Sequence, residues 1–224
     1  MILIISLLIA YFLGAIPSGF ILGKLLKKID IREHGSKNIG ATNVLRTLGV
    51  IPGIVSLIFD FFKGFFAVEI GRILLSQSCE HTIFGFNPCL DYTNPQTYQI
   101  AIVAIGLAAI IGHIYPVFLK FRGGKGMATG AGVYMNLLPI PSLIAVGVFL
   151  MVAALFRYVS LASLTATLSF IIVEVVRNIP DFNEIPLLIL TICTAILIIY
   201  RHKENISRLR NGKESKISFR KKKE

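Results

Sequence analysis

Seven stretches of apolar residues set the pattern of this chain. They fall near residues 2–23, 50–75, 99–119, 127–139, 142–156, 158–176 and 185–200, and polar segments rich in glycine or asparagine separate several of them. About 20 apolar residues in helical form cross roughly 30 Å of hydrocarbon. The fourth run is short and glycine-rich, and only Pro139-Ile140-Pro141 divides it from the fifth. Asp60 and Lys63 interrupt the second run. Charges at such depth are costly unless paired, and these two stand three apart, close enough to pair along a helix. The pattern predicts an all-α, polytopic integral membrane bundle of about seven transmembrane helices. A five-helix alternative, with 127–156 as one broken or re-entrant segment, keeps the same sidedness.

Composition narrows the class. The chain is 54% hydrophobic with 16% charged residues, too little charged surface for a soluble domain of 224 residues, and its mean hydropathy is +0.74. No basic residue precedes the first run, whereas Lys24, Lys27 and Lys28 follow it. That order is the reverse of a cleavable signal peptide.

Charge then orients the bundle. Apart from Lys63, Arg72 and Arg177, all 23 Lys and Arg residues lie in 24–46, in 120–126, at Arg157, or from Arg201 onward. The segment 77–99 has none. The positive-inside rule puts the N-terminus outside and the C-terminus in the cytoplasm. The net charge of +11 is thus read as membrane sidedness and not as a nucleic-acid footprint. Residues 1–200 form a single transmembrane domain with polar loops at 24–48 and 120–129, and 201–224 form a basic cytoplasmic tail. The run from Arg220 to Lys223 is solvated or attracted to anionic lipid headgroups. Cys79 and Cys89 share the outer loop, where a disulfide or two free thiols are both open; Cys193 sits in an apolar run and packs.

Three polar stretches on the inner side carry the candidate chemistry. In the first, Gly35 to Asn43, glycines and asparagines permit close backbone approach and turns whose N–H groups bind anions. Ser36, Asn38, Gly40, Ala41, Thr42 and Asn43 belong to it, and Arg46 follows with a planar fork suited to phosphate. In the second, Gly123, Gly124, Lys125 and Gly126 precede a helix expected to begin near Met127, whose N-terminus favours an anion. A nucleotide P-loop is excluded, because Leu119 occupies the required glycine position and Gly126-Met127 follows the lysine. The third stretch holds His202 and Asn205 on one face of a helical extension, with Arg208 and Glu214 beyond. His113 suits a structural hydrogen bond, His34 a polar loop, and His81 lies in the outer loop without a nameable partner. No metal or cofactor is expected. The inner face lacks His, Cys or carboxylate clusters of ligand spacing, and the HxxxxD, GxSxG and DxxDG patterns are absent.

Four segments together resemble one bacterial family, the acyl-phosphate:glycerol-3-phosphate acyltransferases (PlsY). They are GSKNIGATN at 35–43, DFFKG at 60–64, GHIYPVFLKFRGGKGMAT at 112–129 and HKENISRLRNGKE at 202–214, and the likeness runs from Gly14 to Lys216. The resemblance implies a seven-helix enzyme of the bacterial inner (plasma) membrane with its site facing the cytoplasm. It further implies transfer of a fatty acyl group from acyl phosphate to the sn-1 hydroxyl of glycerol 3-phosphate, giving lysophosphatidic acid and inorganic phosphate. Carried over by position, it makes Ser36 and Arg46 important for activity and gives phosphate binding to Gly123, Gly124, Lys125 and Gly126. It links His202 and Asn205 to substrate and Glu214 more to integrity. Two departures stand out: Lys37 where the family commonly has Gly, and a longer outer loop at 77–98.

The expected chemistry follows from the reactants. Acyl phosphate is a mixed anhydride with a good leaving group, so the protein has to neutralise two phosphates, align a hydroxyl and stabilise an oxyanion. Arg46 and Lys125 supply charge, and Ser36, Asn38, Asn43 and Asn205 orient. The proton goes to His202 or to a phosphate oxygen of the donor, the substrate-assisted route being slightly favoured with His202 left to bind glycerol 3-phosphate; a covalent acyl-Ser36 is a further route for which no adjacent base is identifiable. The alternative class is a membrane anion or phosphate-ester transporter or binding protein that uses the same loops. Membrane lipids are the remaining partners; the sequence leaves the oligomeric state open, a monomer included.

Overall fold

A computed structural model gives the structure of residues 1–76, 94–178 and 185–217. Cys79, Cys89, His81 and the basic run from Arg220 lie outside the described residues. Helices account for the regular structure among those described: α1 (Ile2–Ala15), α2 (Ser18–Lys27), α3 (Ala41–Leu48), α4 (Val50–Ser76), α5 (Pro95–Ile114), α6 (Met127–Leu137), α7 (Pro139–Phe156), α8 (Val159–Asn178), α9 (Ile185–Arg201) and α10 (Lys203–Arg210).

By length and composition, five spans are long and apolar enough to cross a membrane: Ile2–Lys27, Val50–Ser76, Pro95–Leu119, Pro139–Phe156 and Val159–Arg177. Joining α9 to α10 across a 57° bend makes six. The expected seventh, α6, has 11 residues and at 1.5 Å per residue reaches only about 16 Å. It ends at Leu137 because Pro139 and Pro141 follow. Pro139 starts α7 instead, where its missing N–H costs nothing. The first apolar run also divides. Pro17 forces Ile16 into an extended conformation (φ −60°, ψ 116°), and the chain restarts as α2 at Ser18.

Small residues let the helices touch backbone to backbone, which is how membrane helices associate without a hydrophobic drive between them. A Cβ on Gly132 would fall 1.9 Å from the Phe61 carbonyl oxygen, and one on Gly64 would fall 2.1 Å from that of Thr129. These two glycines therefore seat α6 against α4. The apolar core runs along α4, α5 and α6 through Val68, Leu75, Ile105, Ile110 and Val133, while large apolar side chains such as Ile51, Leu143 and Ile196 face outward as lipid-facing ones do.

Polar groups sit in this core at one level. Lys63 Nζ lies 2.8 Å from Asp60 Oδ1 and donates to the Ile16 carbonyl at 2.8 Å, at the break between α1 and α2. Ser18 donates to the same carboxylate oxygen at 2.9 Å and lies 3.0 Å from Ser56. Both members of the ion pair are 2% exposed, so the pairing expected from their spacing is realised inside the bundle. Truncating one partner of a buried pair strands the other charge, at a cost of about 3–5 kcal/mol. Lys63→Met is thus expected to lower stability by that amount in detergent unfolding, and the double change Asp60→Leu, Lys63→Met to recover most of it. An unchanged unfolding midpoint in the single variant would show that the pair contributes nothing.

Candidate active site

The loop before α3 is built around one amide. Asn43 is buried, and its Nδ2 donates to the carbonyls of Ile31 (3.0 Å), His34 (3.0 Å) and Asn38 (2.8 Å). Its Oδ1 accepts from the Ser36 backbone N–H at 2.8 Å. Asn43 is thus occupied with holding the loop, which leaves it no free group for the substrate contact expected from sequence. Gly35 sits at φ +59°, and a Cβ there would fall 2.3 Å from Asn43 Oδ1. Asn38 likewise turns inward and accepts from the Gly40 N–H at 2.9 Å. Lys37 adopts φ +56°, a region that costs a non-glycine residue about 1 kcal/mol. That explains why glycine suits the position. Gly40 then caps α3, whose first turn is Ala41 and Thr42, and Arg46 follows one turn later.

The second stretch forms a tight reversal after α5. Lys120 and Phe121 take left-handed conformations, and Phe121 N–H donates back to Pro116 O at 2.9 Å. Gly123 N–H donates to Ile114 O at 3.2 Å and Gly124 N–H to His113 O at 3.1 Å. The sequence expectation assigned these two amides to an anion; the structure commits them to the end of α5 instead. No side chain fits at Gly124, where a Cβ would meet His113 Nε2 at 2.0 Å. His113 is buried beneath it, with Nδ1 3.7 Å from Asp60 Oδ1 and no hydrogen-bond partner. What remains for an anion is Lys125 and the start of α6, which begins at Met127 as expected, with Gly126 at its N-cap (φ +84°) and no side-chain cap.

The third stretch meets the second directly. Lys125 Nζ donates to Asn205 Oδ1, and Asn205 Nδ2 donates to Glu214 Oε1 at 2.9 Å. Ser160 Oγ reaches the same oxygen at 3.0 Å, and Arg208 Nε reaches Glu214 Oε2 at 2.8 Å. Arg46 Nη2 donates to the Ser215 carbonyl at 2.8 Å, which draws α3 into the group. His202 occupies the bend between α9 and α10. Its Nδ1 lies 2.8 Å from the Ile198 carbonyl, so Nδ1 carries the proton and Nε2 is the acceptor left for a ligand. Arg201 lies over the Tyr115 ring and donates to the carbonyls of Gly123 and Gly124.

The electrostatics are those of an anion site. Burial, reinforced by Arg208, holds Lys125 down at about 8. Burial also lowers Arg46. Burial alone would raise Glu214, but hydrogen bonds from Arg208, Asn205 and Ser160 outweigh it and keep the carboxylate ionised. The site therefore gathers several cations around the Glu214 carboxylate, with the exposed Glu204 paired to Arg208 at 3.8 Å.

Of the residues singled out from sequence, Arg46, Lys125, His202, Asn205, Arg208 and Glu214 come together at one end of the bundle. Among the described residues Ser36 makes no hydrogen bond to that group; its backbone N–H is tied to Asn43 of α3. Sequence reasoning missed Arg201 and Ser160. Arg201 has one local signal, its place beside His202 at the end of an apolar run, whereas Ser160 has none, since its partner lies 54 residues away.

Comparison with known proteins places this geometry. Residues 4–212 match the family described as Glycerol-3-phosphate acyltransferase. The glycerol-3-phosphate acyltransferase of Staphylococcus aureus (strain Newman) is 41% identical over 219 residues, covering 98% of this chain and all of the relative. Crystal structures of PlsY, an integral membrane glycerol 3-phosphate acyltransferase, match at 36% identity. Its glycerol 3-phosphate form gives a TM-score of 0.79 over 96% of both chains, and its lysophosphatidic acid form gives 0.77 over 97% of this chain and 96% of the other. The chain belongs to the glycerol-3-phosphate acyltransferase family.

Proposed function

We propose that this protein transfers a fatty acyl group from acyl phosphate to the sn-1 hydroxyl of glycerol 3-phosphate, releasing lysophosphatidic acid and inorganic phosphate. The observation that carries this reading is the convergence of Arg46, Lys125 and Arg208 with His202 and Asn205 around the open start of α6. Two phosphorylated reactants repel each other, and fixed cations with few carboxylates are what brings them together. Lys125, Gly126 and the first turn of α6 hold one phosphate. Arg46, Ser36 and the start of α3 at Gly40, Ala41 and Thr42 face the other. The concentration of Lys and Arg at this end of the bundle supports a site on the cytoplasmic side of the bacterial inner membrane.

The proton goes to a phosphate oxygen of the donor. Burial and the neighbouring Lys125 lower the pKa of His202 and outweigh the Ile198 carbonyl and Glu214, which raise it, so the imidazole is a weak base. Its free Nε2 accepts the hydrogen bond of a glycerol 3-phosphate hydroxyl and aims it. Ser36 Oγ has no bonded base among the described residues, which argues against an acyl-enzyme.

The deciding assay supplies purified protein with synthetic acyl phosphate and glycerol 3-phosphate, with acyl-CoA and acyl carrier protein as competing donors. Lysophosphatidic acid from acyl phosphate alone is the expected result, and product only from a competing donor would refute the donor assignment. His202→Ala is expected to raise KM for glycerol 3-phosphate about tenfold, the worth of one hydrogen bond. It should leave the neutral limb of the pH–rate profile in place; loss of that limb with KM unchanged would make His202 the base. Lys125 generates a separate expectation. Below about 8 it is charged and attracts phosphate; above that it loses its proton. Consequently kcat/KM should fall as pH rises through about 8, while kcat should fall at higher pH because bound phosphate favours the ammonium. Lys125→Arg, which stays protonated, should remove the alkaline fall, and an unchanged profile in that variant would assign the ionisation elsewhere.

A further inference from the structure

We propose that Arg201 is a positioning residue for the transfer reaction, its guanidinium bridging the glycine turn to the end of α9 so that Lys125 and His202 stay in register. The inference rests on the acyl-transfer reading above. Arg201 donates from Nη2 to Gly124 O at 3.1 Å and to Gly123 O at 3.3 Å, and from Nε to Gly124 O at 3.3 Å. Its guanidinium carbon lies 5.7 Å from the centre of the Tyr115 ring. The Tyr115 backbone is itself tied to α1, since Tyr11 Oη donates to its carbonyl at 2.9 Å.

The placement of these bonds is what gives them a role. Gly123 and Gly124 already donate their N–H groups to the end of α5, so their carbonyls are the remaining handles on the turn. Lys125 follows Gly124 in the chain, and His202 follows Arg201. The guanidinium is thus one residue from each of two groups that face the reactants. A planar fork can satisfy two neighbouring carbonyls at once, whereas an ammonium offers a point charge. Released from Arg201, the turn would keep its inward bonds but lose its link to α9. A displacement of about 1 Å in a reacting pair costs about a hundredfold in rate.

The test compares Arg201→Lys and Arg201→Ala with the unmodified protein in detergent. Arg201→Lys is expected to lose about ten- to a hundredfold in kcat, with both KM values within about threefold, and methylguanidinium should restore part of the turnover of Arg201→Ala. A rise confined to one KM would make Arg201 a direct ligand and overturn the proposal, as would normal kcat in Arg201→Ala or loss of folded protein in both variants. A second readout needs no turnover. Spin labels at the exposed positions Arg122 and Lys203, in a chain with Cys79, Cys89 and Cys193 replaced by Ser, should show a broadened distance distribution in Arg201→Ala. An unchanged distribution overturns the positioning role whatever the activity. Absent turnover in the unmodified protein, with the broadening present, overturns the acyl-transfer reading alone.

Discussion

One carboxylate organises the polar end of this bundle. Glu214 accepts from Asn205, Ser160 and Arg208 at once, and through Asn205 it reaches Lys125. The groups it joins come from the start of α8, from α10 and from the turn before α6. Without it, Lys125 and Arg208 would repel each other at short range in a partly buried setting, where screening is weak. This buried carboxylate, with the exposed Glu204 beside Arg208, is enough to gather these cations and too little to neutralise them. The surplus positive charge is the feature a phosphorylated molecule can use.

A second polar knot sits deeper, at Asp60, Lys63, Ser18 and Ser56. It ties α4 to the α1–α2 break through the Ile16 carbonyl, and His113 lies between it and Gly124. The glycine turn is consequently supported from below by the bundle core and from the side by Arg201. Its rigidity comes from bonds to the turn's own backbone and not from bulky side chains, for which there is no room.

Much of this was readable in the chain. The apolar runs located the long helices within a few residues, because length and hydropathy decide membrane spans. The start of α6 after Gly126 followed from the glycine turn, and the spacing of Asp60 and Lys63 gave their pairing. Other features escaped. Pro17 broke the first span, although hydropathy runs straight through it. The amides of Gly123 and Gly124 were assigned to a ligand, since a glycine-rich sequence announces close approach without saying to what. Asn43 read as a substrate contact because an asparagine in a polar loop shows no sign of the three carbonyls it will meet. Ser160 was hidden for the same reason, since its partner lies 54 residues away, and Arg201 showed only its place beside His202.

The brevity of α6 has a consequence for how matter reaches this end of the molecule. A helix of 11 residues, linked through Leu138 to the 18-residue α7, falls about 10 Å short of its neighbour if the two run back to back. Lys125 and the opening of α6 are then recessed below the level at which α7 finishes. A hydrophilic solute has to descend to that depth, while a molecule anchored by a hydrocarbon tail already floats there. The stunted helix thus offers a recess open both to water-borne solutes and to molecules held by a hydrocarbon tail.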